Sequence, residues 1–347
     1  MNPGPPLLSV VIPSFNRADP LKFTLRSVDR AAAVLGGAIE VLLVDDGSSP
    51  PMAEQLAGFD VGPGLKHIRQ ANQGSIVARL TGLGDATGEY VLFLDSDDLV
   101  HPDKFARQLA AMQQAAADVS YADMALATPG ADHQISSFEA AEALPETDIP
   151  ATLFIEIQPA PHNPIYRRDY LMKALANPLV VPDRAMDPSG DVWLFYNLAI
   201  FPAKITKVNG PYSAPGPHGE DRYSRHWESL GVAALRVMEA FIRTCPRTTE
   251  TFAARQAAGE AAFRSWRALP RGYNAGFVRS MLAVYQQAPH GPCERLGTPD
   301  FARLARLLGP VAAGRLMRAL RARPYKESRT LTTGEYEALL AGFDTAP

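Results

Sequence analysis

The fold turns on the stretch Gly88-Glu89-Tyr90-Val91-Leu92-Phe93-Leu94-Asp95-Ser96-Asp97-Asp98, in which a short apolar run stops abruptly at a cluster of acids. A run this short, with almost no polar alternation, suits a parallel strand covered on both faces. Two earlier stretches have the same form. Leu7 to Ile12 ends at Pro13, which cannot continue a central ladder, and Ile39 to Val44 ends at Asp45-Asp46-Gly47-Ser48-Ser49. Helical spacing fills the gaps between them. Asp19-Pro20 reads as a cap followed by a first-turn proline, and Leu21, Leu25, Val28 and Leu35 then recur until Gly36-Gly37. Ile76, Leu80 and Leu83 predict a helix over Ser75 to Ala86, and Phe105, Leu109 and Met112 predict another beginning near Pro102. Strand and helix alternate, so the expected fold is an open α/β layer structure, mainly parallel, with right-handed crossovers.

In such sheets ligands gather outside the carboxyl ends of the strands. Those ends here carry Pro13-Ser14-Phe15-Asn16-Arg17, Asp45-Asp46-Gly47-Ser48 and Asp95-Ser96-Asp97-Asp98. No glycine-rich phosphate loop follows the first strand, and no Walker lysine motif is present. Carboxylates would repel a phosphate unless a cation stood between them. Hard oxygen ligands select Mg²⁺ or Mn²⁺, often held by one or two carboxylates plus the substrate phosphates. Asp97 and Asp98 are the candidate ligands; alternatively, Asp98 caps the helix entered through His101 and Pro102.

Four stretches in order carry a family resemblance: Ser9 to Arg17, Val44 to Ser48, Asn72-Gln73-Gly74-Ser75 running on to Ala78-Arg79, and Gly88 to Asp98. Together they resemble the nucleotide-binding half of family 2 glycosyltransferases with the GT-A fold. The resemblance implies that Phe15 lies against a nucleobase, with Pro13, Asn16, Arg17 and Gly74 around the nucleotide. An aromatic in that place could instead close the core. Asp46 would accept from the imide of uracil or thymine, with Asp45 nearby. Arg79 would support the diphosphate, or pair with Asp95 or Asp46. Asp95 would meet the ribose beside Ser96, and Asp97 the metal. The metal would stabilise charge on the departing nucleoside diphosphate.

Further on, Pro159 to Pro164 is too proline-rich for regular structure and leads into Ile165-Tyr166-Arg167-Arg168. Val192, Phe195 and Leu198, with Leu194 beside them, set Asp191 at the first turn of a helix. The resemblance makes Asp191 the general base of inverting transfer, although Gly190 stands where the family usually has another acid; a cap is the alternative role. Tyr166, Asp187 and Trp193 are candidates for lining the sugar or acceptor pocket. After an apparent strand, Ala203 to Val208, comes a glycine- and proline-rich loop from Pro211; the resemblance implies that its His218 approaches the metal or diphosphate, and Arg222 and Arg225 would add phosphate contacts if the loop folds over the donor.

Composition sets the remaining bounds. The 347 residues are 46% hydrophobic and carry a net charge of -3, which offers no general attraction to nucleic acid. Cys245 and Cys293 could form one bridge but make no disulfide framework, and no apolar run is long enough to span a bilayer. A cytoplasmic protein is expected, with attachment to the inner face of a membrane left open. Residues 1–226 are read as the glycosyltransferase domain, its donor half about 7–125 and its acceptor half about 126–226. Residues 227–347 are read as an arginine-rich helical extension. In that extension Leu304, Leu307, Leu308, Val311 and Leu316 are expected to form a packing face, with arginines around it. Its role is left among a packed subdomain, a homodimer interface and an anionic-membrane or anionic-acceptor surface. The function expected is a metal-dependent, inverting sugar transfer from a UDP- or dTDP-linked donor to a glycan or lipid-linked glycan, as in bacterial polysaccharide synthesis. A nucleotidyltransferase and a degenerate scaffold are the alternatives.

Overall fold

The computed structural model describes residues 5–60, 62, 64–216, 226–341 and 343, and the chain divides into two compact units. The first comprises Met1–Pro178 and Phe201–Glu220, the second Leu179–Ile200 and Asp221–Pro347.

In the first unit the strands are β1 (Leu8–Ser14), β2 (Ile39–Asp45), β3 (Leu65–Arg69), β4 (Tyr90–Phe93), β5 (Asp98–Val100), β6 (Val119–Pro129), β7 (Ile135–Glu142), β8 (Ile165–Arg167) and β9 (Ile205–Pro215). They form one sheet in the order β3-β2-β1-β4-β8-β6-β9-β5, with β7 paired to β6. The donor-side strands β3, β2, β1 and β4 are parallel, whereas β8, β7 and β5 pair antiparallel and β6 and β9 run together. The helices of this unit are α1 (Ala18–Leu35), α2 (Met52–Gln55), α3 (Ser75–Asp85), α4 (Lys104–Ala115) and α5 (Arg168–Leu175). Leu21, Leu25 and Val28 of α1 and Phe105, Leu109 and Met112 of α4 pack with Val10, Ile12 and Leu92 in one core. On α3, Gly82 is required by close approach, since an added Cβ would stand 2.3 Å from Val11 Cγ1.

Three local expectations are corrected. β1 does not stop before Pro13, which keeps register with Val44 of β2. Alternation turns its missing N–H toward β4, whose pairing with β1 ends at Val11–Phe93, so no ladder bond is lost. Asp19 does not cap α1; the helix already begins at Ala18, and Asp19 instead meets Lys22 at 3.0 Å. The segment Pro211 to Pro215 is strand rather than loop, the continuation of β9. The hairpin of β6 and β7 had no strong apolar alternation to announce it, and most of β7 is exposed or half-buried.

The second unit is helical: α6 (Gly190–Leu198), α7 (Trp227–Thr244), α8 (Thr249–Ala268), α9 (Ala275–Gln287), α10 (Pro299–Leu308), α11 (Pro310–Arg321), α12 (Tyr325–Ser328) and α13 (Thr333–Leu340). Buried Arg255 donates to the carbonyls of Ile242 and Cys245 (2.9 and 2.7 Å) and of Gln287 (3.2 Å), satisfying C-terminal carbonyls of α7 and α9. Cys245 and Cys293 are free thiols. The expected packing face of α10 and α11 is also corrected. Phe301, Ala302, Ala305 and Ala313 turn inward, while Leu307 is 83% exposed, Leu308 51% and Leu316 43%. Small residues let the backbones approach; Gly314 lies so close to Trp266 that a Cβ would stand 2.4 Å from its ring.

Candidate donor site

At the carboxyl ends of β2 and β3 the loops are tied together through two carboxylates. Asp45 is buried and accepts from the amides of Ser48 (2.8 Å) and Met52 (2.9 Å), with Arg69 at 3.3 Å. Burial alone would raise its pKa; the bonds from Ser48 and Met52 and the charge of Arg69 hold it below the usual value. Asp46 is also buried. Its Oδ1 accepts from Gln70 Nε2 and the Gln73 amide, and its Oδ2 from the Gly74 amide, each at 2.8 Å. The loop before α3 is therefore hung on Asp46. Gly47 makes room for it, with φ +85° and an added Cβ only 2.9 Å from Asn72 N. Asn16, at φ 53°, clips the first loop to the second: its amide donates to Ser48 Oγ (3.0 Å) and its Oδ1 accepts from Ser49 (2.9 Å). Phe15, which follows β1 directly, is 45% exposed, so it does not close the core.

Each acid of the turn after β4 faces a basic side chain. Asp95 pairs with Arg79, which projects from α3 and is itself buried. Asp97 lies 2.5 Å from Arg17 Nη1, and Asp98 Oδ2 lies 2.5 Å from His162 Nδ1. The side chains of Asp95 and Asp97 retain 30% and 18% exposure, against 12% for Asp98 and 3% for His162. Asp98 does not cap the following helix, whose N-cap position is Asp103. It also accepts from the Gly216 amide at 3.4 Å. Ser96 is buried within the turn.

Asp95 and Asp97 fit a hard divalent cation in donor chemistry: both are carboxylates and both reach the surface, and a cation there would take over from Arg17 and Arg79. Among the described residues, no group of three or more His, Cys, Asp or Glu side chains is arranged to hold a metal ion. Two carboxylates completed by phosphates is the arrangement that Mg²⁺-type ions commonly accept. His218, Arg222 and Arg225 lie outside the described residues.

Sequence reasoning missed the network behind this turn. Lys104 is fully buried, and its Nζ donates to Gln108 Oε1 (2.6 Å), the Asn163 carbonyl (2.6 Å) and Ser213 Oγ (2.9 Å). Burial drives its pKa well below the usual lysine value. Asn163 uses its amide side chain as a strand would, accepting from Ala122 N (2.9 Å) and donating to Ala122 O (2.8 Å). The proline-rich loop is thereby fixed against β6, carrying His162 to Asp98. Polar residues inside an irregular, proline-rich segment were the available signal for His162 and Asn163. Lys104, beside Asp103 at a helix start, gave none.

The other expected residues are placed differently. Tyr166 is fully buried between Phe93 and Phe154, a core position rather than a pocket wall, and burial raises its pKa well above the usual value. Trp193 is a core residue of the second unit, donating from Nε1 to Val180 O at 2.7 Å. Asp187 lies 3.4 Å from Arg184. Asp191 occupies the first turn of α6, which is otherwise buried beyond Val192.

The sheet and its acidic strand-end turn define a GT-A architecture. Residues 9–173, just under half of the chain, match the family model described as Glycosyl transferase family 2. A solved structure of S. aureus TarS 1-349 in complex with UDP-GlcNAc superposes with TM-score 0.60 at 17% identity, over 94% of this chain and 93% of that one. The Pyrobaculum calidifontis mannosyltransferase PcManGT, in complex with GDP-Man and Mn²⁺, gives 0.52 at 16%, over 91% and 86%. In sequence, the succinoglycan biosynthesis protein ExoO of Rhizobium meliloti is 30% identical over 48% of this chain and 49% of its own length. The undecaprenyl-phosphate 4-deoxy-4-formamido-L-arabinose transferase of Klebsiella pneumoniae is 36% identical over 30% of this chain and 32% of its own. An uncharacterised glycosyltransferase of Rickettsia conorii is 33% identical over 31% of this chain, which spans 17% of that relative.

Proposed function

We propose that this chain transfers a sugar, with inversion, from a UDP- or dTDP-activated donor to a hydroxyl of a glycan or lipid-linked glycan. The observation that carries the reading is the acidic turn Asp95–Asp98, set at the carboxyl ends of parallel strands and faced by Arg17, Arg79 and His162. Exposed Phe15 is the proposed platform for the base, and Asp46 holds the loop of Gln73 and Gly74. Asp97, with Asp95 next to it, is the proposed holder of Mn²⁺ or Mg²⁺, which when bound supplies Lewis-acid stabilisation of the leaving diphosphate. Arg17 and Arg79, paired with Asp97 and Asp95 in this structure, are the guanidinium groups proposed to meet a phosphate. Asp191 is the proposed general base, taking the acceptor hydroxyl's proton as it attacks the anomeric carbon.

The donor half is proposed to lie within about 7–125 and the acceptor half within about 126–226, in a protein working at the cytoplasmic side. Relatives named for UDP-GlcNAc, for GDP-Man with Mn²⁺ and for undecaprenyl phosphate support the donor, metal and lipid-linked acceptor classes.

Calorimetry with a panel of nucleoside diphosphates, with and without Mn²⁺, tests the donor side. UDP or dTDP binding that requires metal and disappears in Asp97→Ala is expected; equal binding without metal would remove the proposal. Asp191→Asn should keep donor affinity and lose transfer by about 10²-fold or more. Unchanged transfer would leave Asp191 a helix-end residue.

A further inference from the structure

The leucines of α10 and α11 face the wrong way for a helix pair that packs only on its own unit. Leu307, Leu308, Leu316 and Leu320 are 83%, 51%, 43% and 72% exposed, while Ala302, Ala305 and Ala313 are buried. Burying alanine and exposing leucine forgoes most of the available hydrophobic stabilisation, and several large exposed leucines on two successive helices call for a partner. On α11 the exposed positions Ala312, Arg315, Leu316, Ala319 and Leu320 recur at helical spacing, so they form one stripe along the helix.

Charge identifies the occupant. From Phe301 to Pro324 the chain contains six arginines and no acidic residue. Arg303 and Arg306 meet Asp300 and Glu294, which precede the segment, and Arg318 lies over the Trp266 ring. Arg315 within the stripe and Arg323 just beyond it are exposed. Leucine and alanine flanked by arginine, on helices too short and too charged to cross a bilayer, is the pattern of a helix lying in a membrane interface. Among the described residues no helix is long and apolar enough to span one. A second copy of the chain would bring arginine against arginine, whereas anionic headgroups neutralise it.

We propose that the exposed face of α10 and α11 docks on an anionic lipid surface, with Leu307, Leu316 and Leu320 entering the headgroup boundary and Arg315 and Arg323 on lipid phosphates. The proposal is independent of the donor reading.

The test is sedimentation of the full chain with vesicles of pure phosphatidylcholine and of phosphatidylcholine mixed with phosphatidylglycerol, alongside light scattering without lipid. Partition onto the mixed vesicles is expected, with little onto the neutral ones. Raising salt from about 0.1 M to about 1 M should weaken it as screening shortens. Leu316→Glu with Leu320→Glu should lower partition by about tenfold or more. Arg315→Gln should lower it by about fivefold, the worth of one basic residue near such a surface. All three positions are exposed, so thermal melting should be unchanged. Should the double variant melt early, Leu320→Ser alone replaces it, with the same direction expected. The proposal is overturned by equal partition onto neutral and anionic vesicles, by no partition onto either, or by unchanged partition of the leucine variants. A lipid-free dimer that the leucine variants dissociate would likewise overturn it, assigning the face to a second copy.

Discussion

Asp46 and Asp98 are both acids at strand ends, and the structure gives each a partner the sequence did not name. Two amides and the Gln70 side chain converge on Asp46, so its charge is used within the protein before any nucleotide arrives. Asp46→Asn should therefore lower stability by about 1–2 kcal/mol and also weaken nucleotide binding. Melting and calorimetry on one preparation check this, and weaker binding with an unchanged melt would mean that Asp46 acts on the nucleotide alone. At Asp98, His162→Ala should cost about 1–3 kcal/mol by removing one of the groups that face a largely buried carboxylate. Adding Asp98→Asn should recover much of that loss. If His162→Ala melts like the wild type, the pair contributes nothing. The acids were legible because strand-end polarity is a local property of the chain. Their partners were not: His162 lies 64 positions from Asp98 in sequence, and only the folded loop brings it near.

The strand and helix pattern of the donor side was readable because β1, β2 and β4 are buried on both faces and interrupted by polar clusters. The same reasoning failed on β7, which is largely exposed, and on β9, where Pro211 and Pro215 suggested a loop although the strand passes through them. At the opposite end of these strands, Glu40 on β2 gathers Ser9 Oγ of β1 (2.7 Å), Lys66 Nζ of β3 (2.6 Å) and the Thr87 amide and hydroxyl (2.7 Å each). Burial would raise its pKa, but the bonds from Lys66, Thr87 and Ser9 outweigh that and lower it to about 2. A depressed acid stabilises the fold above its unfolded pKa, 4.5, and the benefit drains away as pH falls toward 2. Glu40→Gln should thus be less stable near neutrality, by roughly 2 kcal/mol. Its stability should also fall less steeply between pH 4.5 and 2. Parallel acid-melting curves for the two proteins would refute the assignment.

Across the whole molecule, each compact unit has its own buried side chains, the sheet with α1 and α4 in one and α7 to α9 in the other. Calorimetry should resolve more than one transition, because units with separate cores need not melt together. UDP with Mn²⁺ at about a hundred times Kd should stabilise the first unit by about 2.7 kcal/mol. A single transition that moves as a whole would contradict this. Helix content in the second unit could be read from composition, but not which faces turn inward: leucine is the better core residue on average, and only packing against Trp266 shows that small side chains were required there. Lys104 has a consequence of another kind. Its amine is sealed among Gln108, Asn163 and Ser213. An acylating reagent that modifies the surface lysines would pass it by in the native protein, and the rate at which it becomes labelled would time the opening of the sheet around it.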